Sequence, residues 1–169
     1  MTNPSDSSPT GPVTVRTDGG ARGNPGPAGI GFTVEQGGAE LFGAGAFIGS
    51  QTNNVAEYAA IVWGVENCLA AGYRDILVLA DSELVVKQLN GQYRVKNAGL
   101  KPLYAAAVRV AGGASSIAYR HIPRAENAVA DGYANGAMDD RSPVGSPVLP
   151  FADSAAFDIV SPPAQGSLF

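Results

Sequence analysis

Four acidic residues of this sequence stand where a strand is predicted to end or a helix to begin. Asp18 and Asp81 each follow an apolar strand pattern, whereas Glu57 and Asp131 fall in the first turns of predicted helices. If the two strands are neighbours, all four carboxylates meet at one edge of a sheet. Crowded carboxylates raise one another's pKa, and divalent cations such as Mg²⁺, which prefer oxygen ligands, would stabilise them together. The pattern therefore predicts a metal site suited to phosphoryl chemistry.

Each of these acids also has an ordinary structural explanation. An Asp after a strand is a common turn residue, and an acid in the first turn of a helix complements the helix dipole. Their joint placement is what favours the metal site. Two ions about 4 Å apart can stabilise both the attacking and the leaving oxygens of an in-line displacement.

The strands that must position these acids are predicted from apolar periodicity. Three short strands in succession, separated by glycine-containing turns, predict an antiparallel meander. A continuous apolar run then predicts a strand buried on both faces, and a last strand follows a helical stretch. The predicted strands span residues 13–18, 30–36, 39–49, 76–80 and 116–122.

Helices are predicted between and after the later strands. The first is capped by Thr52 or Asn53 and ends before Gly72, and the second is capped by Ser82. A third covers about 100–111, and Asn127 is predicted to cap the last. The element order indicates a mixed α/β fold.

The two ends of the chain differ from this middle part in composition. Residues 1–12 are rich in Ser, Pro, Thr and Gly without periodicity, which predicts a disordered leader. Residues 141–169 are rich in Pro and Ser, which predicts a flexible tail without a packed element. We therefore expect one domain, over 13–140.

Charge and cysteine content bound the class of protein. The chain has 169 residues, 11 Lys and Arg against 15 Asp and Glu, and one cysteine, so no internal disulfide can form. It contains neither a long apolar run nor a secretory signal, which predicts a cytoplasmic protein without membrane contact, and we expect a monomer. The acidic balance argues against a nucleic-acid partner. However, two divalent cations would change the net charge of residues 13–140 from −2 to +2.

Five stretches together indicate a family. They resemble the type 1 ribonuclease H family over about residues 13–138, in the short form that lacks a basic protrusion. The resemblance implies an α/β ribonuclease H-like fold, in which helices flank a five-stranded mixed sheet that begins with three antiparallel strands. The stretches are TDGGARGNPGPAGIG (17–31), TNNVAEYAA (52–60), LADSELVVKQL (79–89), VKNAGLKPLY (95–104) and HIPRAENAVADGYAN (121–135).

The resemblance implies an endoribonuclease that hydrolyses the RNA strand of RNA/DNA hybrids and leaves 5′-phosphate and 3′-hydroxyl ends. It assigns both catalysis and metal binding to Asp18, Glu57, Asp81 and Asp131, with two Mg²⁺ ions or Mn²⁺ as a substitute. The alternative is a non-catalytic hybrid-binding module of the same fold. A lesser alternative is an exonuclease of the wider superfamily. Loss of one of these acids would favour the module, and none is missing.

The resemblance also implies contacts with the minor groove of the hybrid. Asparagine amides suit the 2′-hydroxyl that distinguishes RNA, because both groups donate and accept hydrogen bonds. Alternatively, Asn24 is a turn residue and Asn53 a helix cap. The residues expected to bind substrate are Gly20, Arg22, Gly23, Asn24, Asn53, Asn54 and Tyr93.

Two further features have two interpretations each, and two more residues have only a structural one. Tyr93, Arg94 and Lys96 lie in the short stretch that replaces the basic protrusion, as a phosphate or sugar platform or as a solvated loop. His121 matches a loop histidine that some family members use, but its place at a strand end favours a structural role. Cys68 and Trp63 are expected in the core.

The last five residues, QGSLF, resemble the short peptide by which bacterial replication and repair proteins dock on the sliding clamp. Gln165 would bind at the rim of a pocket, and Leu168 and Phe169 would fill an apolar cleft. A hydrophobic end that arose by chance is the alternative. The sequence therefore suggests the clamp as a second partner beside the RNA/DNA hybrid.

Overall fold

The computed structural model describes residues 11–161. Its strands are β1 (Val13–Ala21), β2 (Gly26–Gln36), β3 (Ala39–Gln51), β4 (Asp75–Ala80), β5 (Ser116–His121) and β6 (Val144–Gly145). Its α-helices are α1 (Asn53–Ala70), α2 (Glu83–Leu89), α3 (Lys101–Ala111), α4 (Ala128–Asp140) and α5 (Ala155–Val160). Single 3₁₀ turns lie at Arg124–Glu126 and Phe151–Asp153. Within residues 11–161, no helix is both long and apolar enough to span a membrane.

The strands form one mixed sheet in the order β5-β4-β1-β2-β3-β6. The first three strands pair antiparallel, and β1, β4 and β5 pair parallel. The α/β fold with three antiparallel strands first is therefore confirmed. The prediction of five strands is wrong, because β6 pairs with Ala44 and Gly45 of β3. A two-residue strand is too short to show a period of two in the sequence.

One face of the sheet is covered by α1, which carries much of the core. Trp63 and Phe32 pack edge to face with their rings 4.8 Å apart, and Tyr58 is fully buried beside them. The predictions for Trp63 and Cys68 are confirmed, since both lie in this core at 1% and 0% exposure.

The opposite face of the sheet is covered by α4, whose backbone lies so close to β2 that only glycine fits at the contact. A Cβ at Gly31 would lie 2.5 Å from the Ala130 carbonyl oxygen, and one at Gly29 would lie 2.6 Å from that of Ala134. Because such contacts are closer than van der Waals packing permits, the glycines let the α4 backbone rest on β2. This contact fixes the position of the first turn of α4.

Residues 142–161, which we call the C-terminal strap, differ from the predicted flexible tail. The buried Asn67 accepts hydrogen bonds from the N–H groups of Val148 and Leu149, at 2.9 and 2.8 Å. Trp63 donates to the Leu149 carbonyl at 2.8 Å and packs against Phe151. The expectation of no packed element is therefore wrong over 144–160. Composition misled it, because these partners lie about 80 residues away on α1.

Two predictions fall outside the described residues. The leader over 1–12 lies almost wholly before residue 11, and the QGSLF motif, with Gln165, Leu168 and Phe169, lies after residue 161. Both stay predictions.

Candidate active site

Parallel pairing of β1 with β4 brings two of the four acids together. The last paired residues are Thr17 and Ala80, so Asp18 and Asp81 are the next residues on adjacent strands. On its other side, β1 continues beside β2, where Asp18 pairs with Gly31. The carboxyl ends of the parallel strands therefore hold this carboxylate pair, as expected from the sequence.

The third acid, Glu57, comes from the first turns of α1. Thr52 caps this helix, since its side chain accepts a hydrogen bond from the Val55 N–H. A Cβ at Gly19 would overlap the Ala56 carbonyl, so glycine is required where β1 meets the helix. As a result Asp18, Glu57 and Asp81 each offer a carboxylate oxygen within 4.8 Å of the other two.

Burial disfavours the ionised form of the Asp18 and Glu57 carboxyl groups and so raises their pKa. Asp18 is 7% exposed, and burial, a hydrogen bond with Asp131 and the charge of Asp81 raise its pKa to about 8. Burial and the charges of Asp18 and Asp81 raise the pKa of Glu57 well above its usual value. The buried Glu57 Oε2 has no hydrogen-bond partner among the described residues. An unpaired buried oxygen beside two carboxylates fits the ligand set of a hard divalent cation.

The fourth acid, Asp131, lines a cleft of about 320 Å³ together with Asp18 of this cluster. It stands in the first turn of α4, and its side chain contributes to the raised pKa of Asp18. It is not part of the group within 4.8 Å. The cleft is lined by Asp18, Gly19, Gly20, Ala21, Arg22, Asn53, Arg124, Asp131, Asn135 and Met138.

Arg124 is a residue of this cleft that the sequence reasoning missed. It lies in the 3₁₀ turn after β5, and its positive charge lowers the pKa of both Asp18 and Glu57. A basic residue seven positions before Asp131 was the available signal. Nothing in its local pattern indicated that the turn would lead it back to the carboxylates.

The Gly-rich turn between β1 and β2 is tied to the start of α1 by two asparagines. Asn24 Oδ1 accepts a hydrogen bond from the Asn53 N–H at 3.0 Å, and Asn53 Oδ1 accepts one from the Ala21 N–H at 2.8 Å. Gly23 has a φ of +100°, which allows the turn, and Gly20 lines the cleft. The turn is thus held at the cleft, and the half-buried Asn54 follows Asn53 in α1.

The side chain of Arg22 crosses from this turn to α4. It forms an ion pair with Asp139 at 2.7 Å and a hydrogen bond with Asn135 at 3.3 Å. Both members of the ion pair are largely exposed, so it contributes little to stability. Its consequence is geometric, since it places a guanidinium over the cleft wall.

Comparison with known proteins agrees with this geometry. The model of the family described as "Reverse transcriptase-like" matches residues 16–137. The crystal structure of RNase H1 from Halobacterium salinarum is 38% identical, has a TM-score of 0.75, and aligns over 77% of this chain and 99% of that one. The chain belongs to the type 1 ribonuclease H family.

Two further relatives are similar to this chain over about three quarters of its length. The crystal structure of LC11-RNase H1 in complex with RNA/DNA hybrid is 40% identical, with a TM-score of 0.73, over 76% of this chain and 98% of that one. A bifunctional protein of Mycobacterium tuberculosis is 43% identical over 129 residues. That match covers 75% of this chain, which spans only 35% of the length of the mycobacterial protein.

In this ribonuclease H domain, Tyr93 lies apart from the carboxylates, on the loop between α2 and α3. It is 49% exposed, and the Lys87 ammonium stands 5.0 Å from its ring centre. Two clefts of about 610 and 540 Å³ adjoin it. Both are lined by Gln92, Tyr93 and Arg94, with Lys101 in one and Lys96 in the other.

His121 is the last residue of β5, as the sequence predicted, and it pairs with Ala80, the residue before Asp81. Its side chain is exposed. An exposed imidazole contributes little to the core, so burial gives no support to the structural role that the sequence favoured.

Proposed function

We propose that this protein is an endoribonuclease that hydrolyses the RNA strand of RNA/DNA hybrids. The observation that supports this most is the cluster of Asp18, Glu57 and Asp81 within a ribonuclease H domain, in which the buried Glu57 Oε2 has no hydrogen-bond partner among the described residues. A structural ion pair would have supplied a basic partner for that oxygen. The activity of one relative toward a hybrid is suggested by the complex that LC11-RNase H1 forms.

Asp18, Glu57 and Asp81 would hold a divalent cation, and Asp131 would complete a second site across the cleft. Mg²⁺ is the proposed ion, with Mn²⁺ as a substitute, because the donors are all carboxylate oxygens. Bound ions supply charge neutralisation at the phosphate and lower the pKa of water. The expected products carry 5′-phosphate and 3′-hydroxyl ends.

The protein's own residues would bind and orient the hybrid. The turn tied by Asn24 and Asn53 presents backbone and amide groups to the minor groove, where the 2′-hydroxyl distinguishes RNA from DNA. Arg22 and Arg124 line the same cleft and would attract phosphate groups. Gly20 and Gly23 allow close approach of the backbone, and Asn54 lies beside them.

The loop that carries Tyr93 would contact the hybrid away from the scissile bond. An exposed aromatic ring beside Arg94, Lys96 and Lys101 suits stacking on a sugar and attraction of phosphates. These few basic residues predict weak, metal-dependent affinity with a shallow dependence on salt. Tight hybrid binding in the absence of metal would contradict this part of the proposal.

The proposal is tested with labelled RNA/DNA hybrid, duplex RNA and duplex DNA, each incubated with Mg²⁺ or with EDTA. We expect internal cuts in the RNA of the hybrid, only with Mg²⁺, and their loss in Asp81→Asn. Binding without cleavage would favour the non-catalytic module, and stepwise shortening from one end would favour an exonuclease. Cutting of all three duplexes, or cutting that persists in Asp81→Asn, would refute the proposal.

A bacterial sliding clamp is the second partner that we propose, from the sequence of Gln165, Leu168 and Phe169 alone. Docking there would raise the local concentration of the domain at DNA and offset weak intrinsic binding. A peptide of residues 161–169 is expected to bind a purified clamp, and a variant with Leu168→Ala and Phe169→Ala is not. Equal binding of both peptides would contradict the idea.

A further inference from the structure

Asn127 contacts three of the chain segments that carry the carboxylates. It is fully buried between the 3₁₀ turn and α4. Its Nδ2 donates to the Thr17 carbonyl at 2.9 Å and to Asp81 Oδ2 at 3.2 Å. Thr17 precedes Asp18, and the Asn127 carbonyl accepts the N–H of Asp131 at 3.0 Å. One residue therefore joins β1, the end of β4 and the first turn of α4.

The sequence prediction that Asn127 caps α4 is wrong for its side chain. The residue stands at the N-cap position, but its side chain makes no capping hydrogen bond. The amide is turned toward Asp81 instead. Cap preference is a local rule in which the side-chain oxygen accepts from the helix, whereas here the amide nitrogen donates to acceptors outside the helix.

The orientation of this amide is dictated by its neighbours. Both groups that face Nδ2 are acceptors, so the reversed amide would place oxygen against a carbonyl and a carboxylate. In the orientation present, Asn127 Oδ1 is buried without a hydrogen-bond partner among the described residues. An unpaired buried oxygen costs free energy. The hydrogen bonds that Nδ2 donates to Thr17 and Asp81 therefore determine how this amide is oriented.

We infer that Asn127 is a positioning residue that fixes the Asp81 carboxylate for cation binding. This inference rests on the proposed metal site. Donation to Oδ2 restrains the rotation of the Asp81 carboxylate, which offers an oxygen within 4.8 Å of carboxylate oxygens of Asp18 and Glu57. The simultaneous bond to Thr17 holds the amide to β1, so the two strand ends keep their spacing.

The test is Mn²⁺ affinity, measured by calorimetry on the intact protein without substrate. Residues that orient metal ligands typically alter affinity by about 10–100-fold, so Asn127→Ala is expected to weaken Mn²⁺ binding by that factor. Asn127→Ser, which retains one donor on a shorter side chain, is expected to bind with intermediate affinity. Unchanged affinity in either folded variant would overturn the inference.

Asn67 offers a matched control. It is also fully buried, and its Nδ2 also donates to two acceptors, the carbonyls of Trp63 and Leu149. It lies in the strap contact, away from the carboxylates. Asn67→Ala is expected to lower the melting temperature while changing Mn²⁺ affinity by less than about twofold. Equal losses of affinity in both variants would mean that Asn127 acts only on general stability.

A measurement on the unmodified protein removes dependence on the folding of variants. During a Mg²⁺ titration, the side-chain amide resonances of Asn127 are expected to shift with the same midpoint as the backbone resonance of Asp81. Those of Asn67 are expected to stay constant. An Asn127 amide that does not respond while Asp81 does would refute its role, whereas absence of any Mg²⁺ binding would refute the metal site itself.

Discussion

Helix α1 carries two partly or fully buried glutamates whose surroundings are opposite. Glu57, in its first turns, faces Asp18 and Asp81, and its Oε2 has no hydrogen-bond partner among the described residues. Glu66, nine residues later, accepts hydrogen bonds from the Ser154 hydroxyl and from the Ala155 N–H at 2.8 Å. Burial raises the pKa of both side chains. Around Glu57 the like charges of Asp18 and Asp81 outweigh the opposite charge of Arg124, whereas Glu66 is bound by donors.

The difference separates a site from a structural contact. At Glu66, donors from the strap lower the pKa that burial raises, so the contact is complete within the protein. At Glu57, the two carboxylate neighbours raise the pKa further, so an added cation would stabilise the ionised cluster. Burial of an acid alone therefore says little about function, whereas the sign of its neighbours says much.

The largest expected effect comes from changing the two glutamates in parallel. Glu57→Gln is expected to lower the rate of hybrid cleavage roughly 1000-fold, the equivalent of several kcal/mol of lost charge stabilisation. Its melting temperature is expected to stay the same or rise, because one of three repelling charges is gone. Glu66→Gln is expected to keep the cleavage rate within about threefold of wild type.

The stability of Glu66→Gln completes this comparison. Loss of a charged acceptor from two hydrogen bonds is expected to cost about 1–3 kcal/mol in a denaturant titration. If Glu66→Gln abolished cleavage while remaining folded, the strap would belong to the active site. A Glu57→Gln variant that is destabilised but cleaves hybrid at the wild-type rate would show that the cluster is structural.

The second prediction concerns pH. The pKa of Asp18 is about 8 in the folded, metal-free protein, against 3.8 for the free side chain. The folded state therefore retains a proton that the unfolded state loses, and the free energy of unfolding falls as the pH rises from about 4 to about 8. Added Mg²⁺ is expected to stabilise the protein increasingly over the same range, because it replaces that proton.

Thermal unfolding at several pH values, with EDTA or with Mg²⁺, measures this dependence. Asp18→Asn is expected to flatten it and to remove the response to Mg²⁺. A metal-free protein whose stability rises with pH over 4–8 would contradict the assignment of the raised pKa to this cluster.

The third prediction concerns the packing of the C-terminal strap against α1. Phe151 packs against Trp63 with ring centres 5.4 Å apart and against Phe157 at 5.7 Å. Phe151→Ala is expected to cost about 2–4 kcal/mol of unfolding free energy, since the side chain is partly buried. At a temperature where the variant is folded, its cleavage rate is expected to match that of wild type. A loss of rate without a loss of stability would mean that the strap controls the position of Glu57.

The sequence predicted the features that depend on local pattern and missed those that depend on distant partners. The three antiparallel strands, a cap of α1 at Thr52 or Asn53 and the meeting of Asp18 with Asp81 depend on local periodicity and on sheet topology, and all were predicted; the structure selects Thr52 as the cap. The strap, Arg124 and Asn127 depend on partners far along the chain, such as Thr17 for Asn127. No local pattern encodes such contacts, so composition led to a flexible tail and a helix cap in their place.

The smallest expected effect is that of His121→Ala. The imidazole is exposed at the end of β5, beside the residue that precedes Asp81, so it is near the site without being enclosed by it. We expect a change in stability within about 0.5 kcal/mol, as for other exposed positions. We also expect turnover to fall less than about threefold, because this histidine is fixed in a strand rather than in a loop that could carry it to the cleft. Steady-state cleavage at several Mg²⁺ concentrations measures this, with the exposed Arg120→Ala on the same strand as the control. Loss of most turnover in His121→Ala alone would instead place the imidazole in the reaction, and the boundary of the site would then extend from β4 to β5.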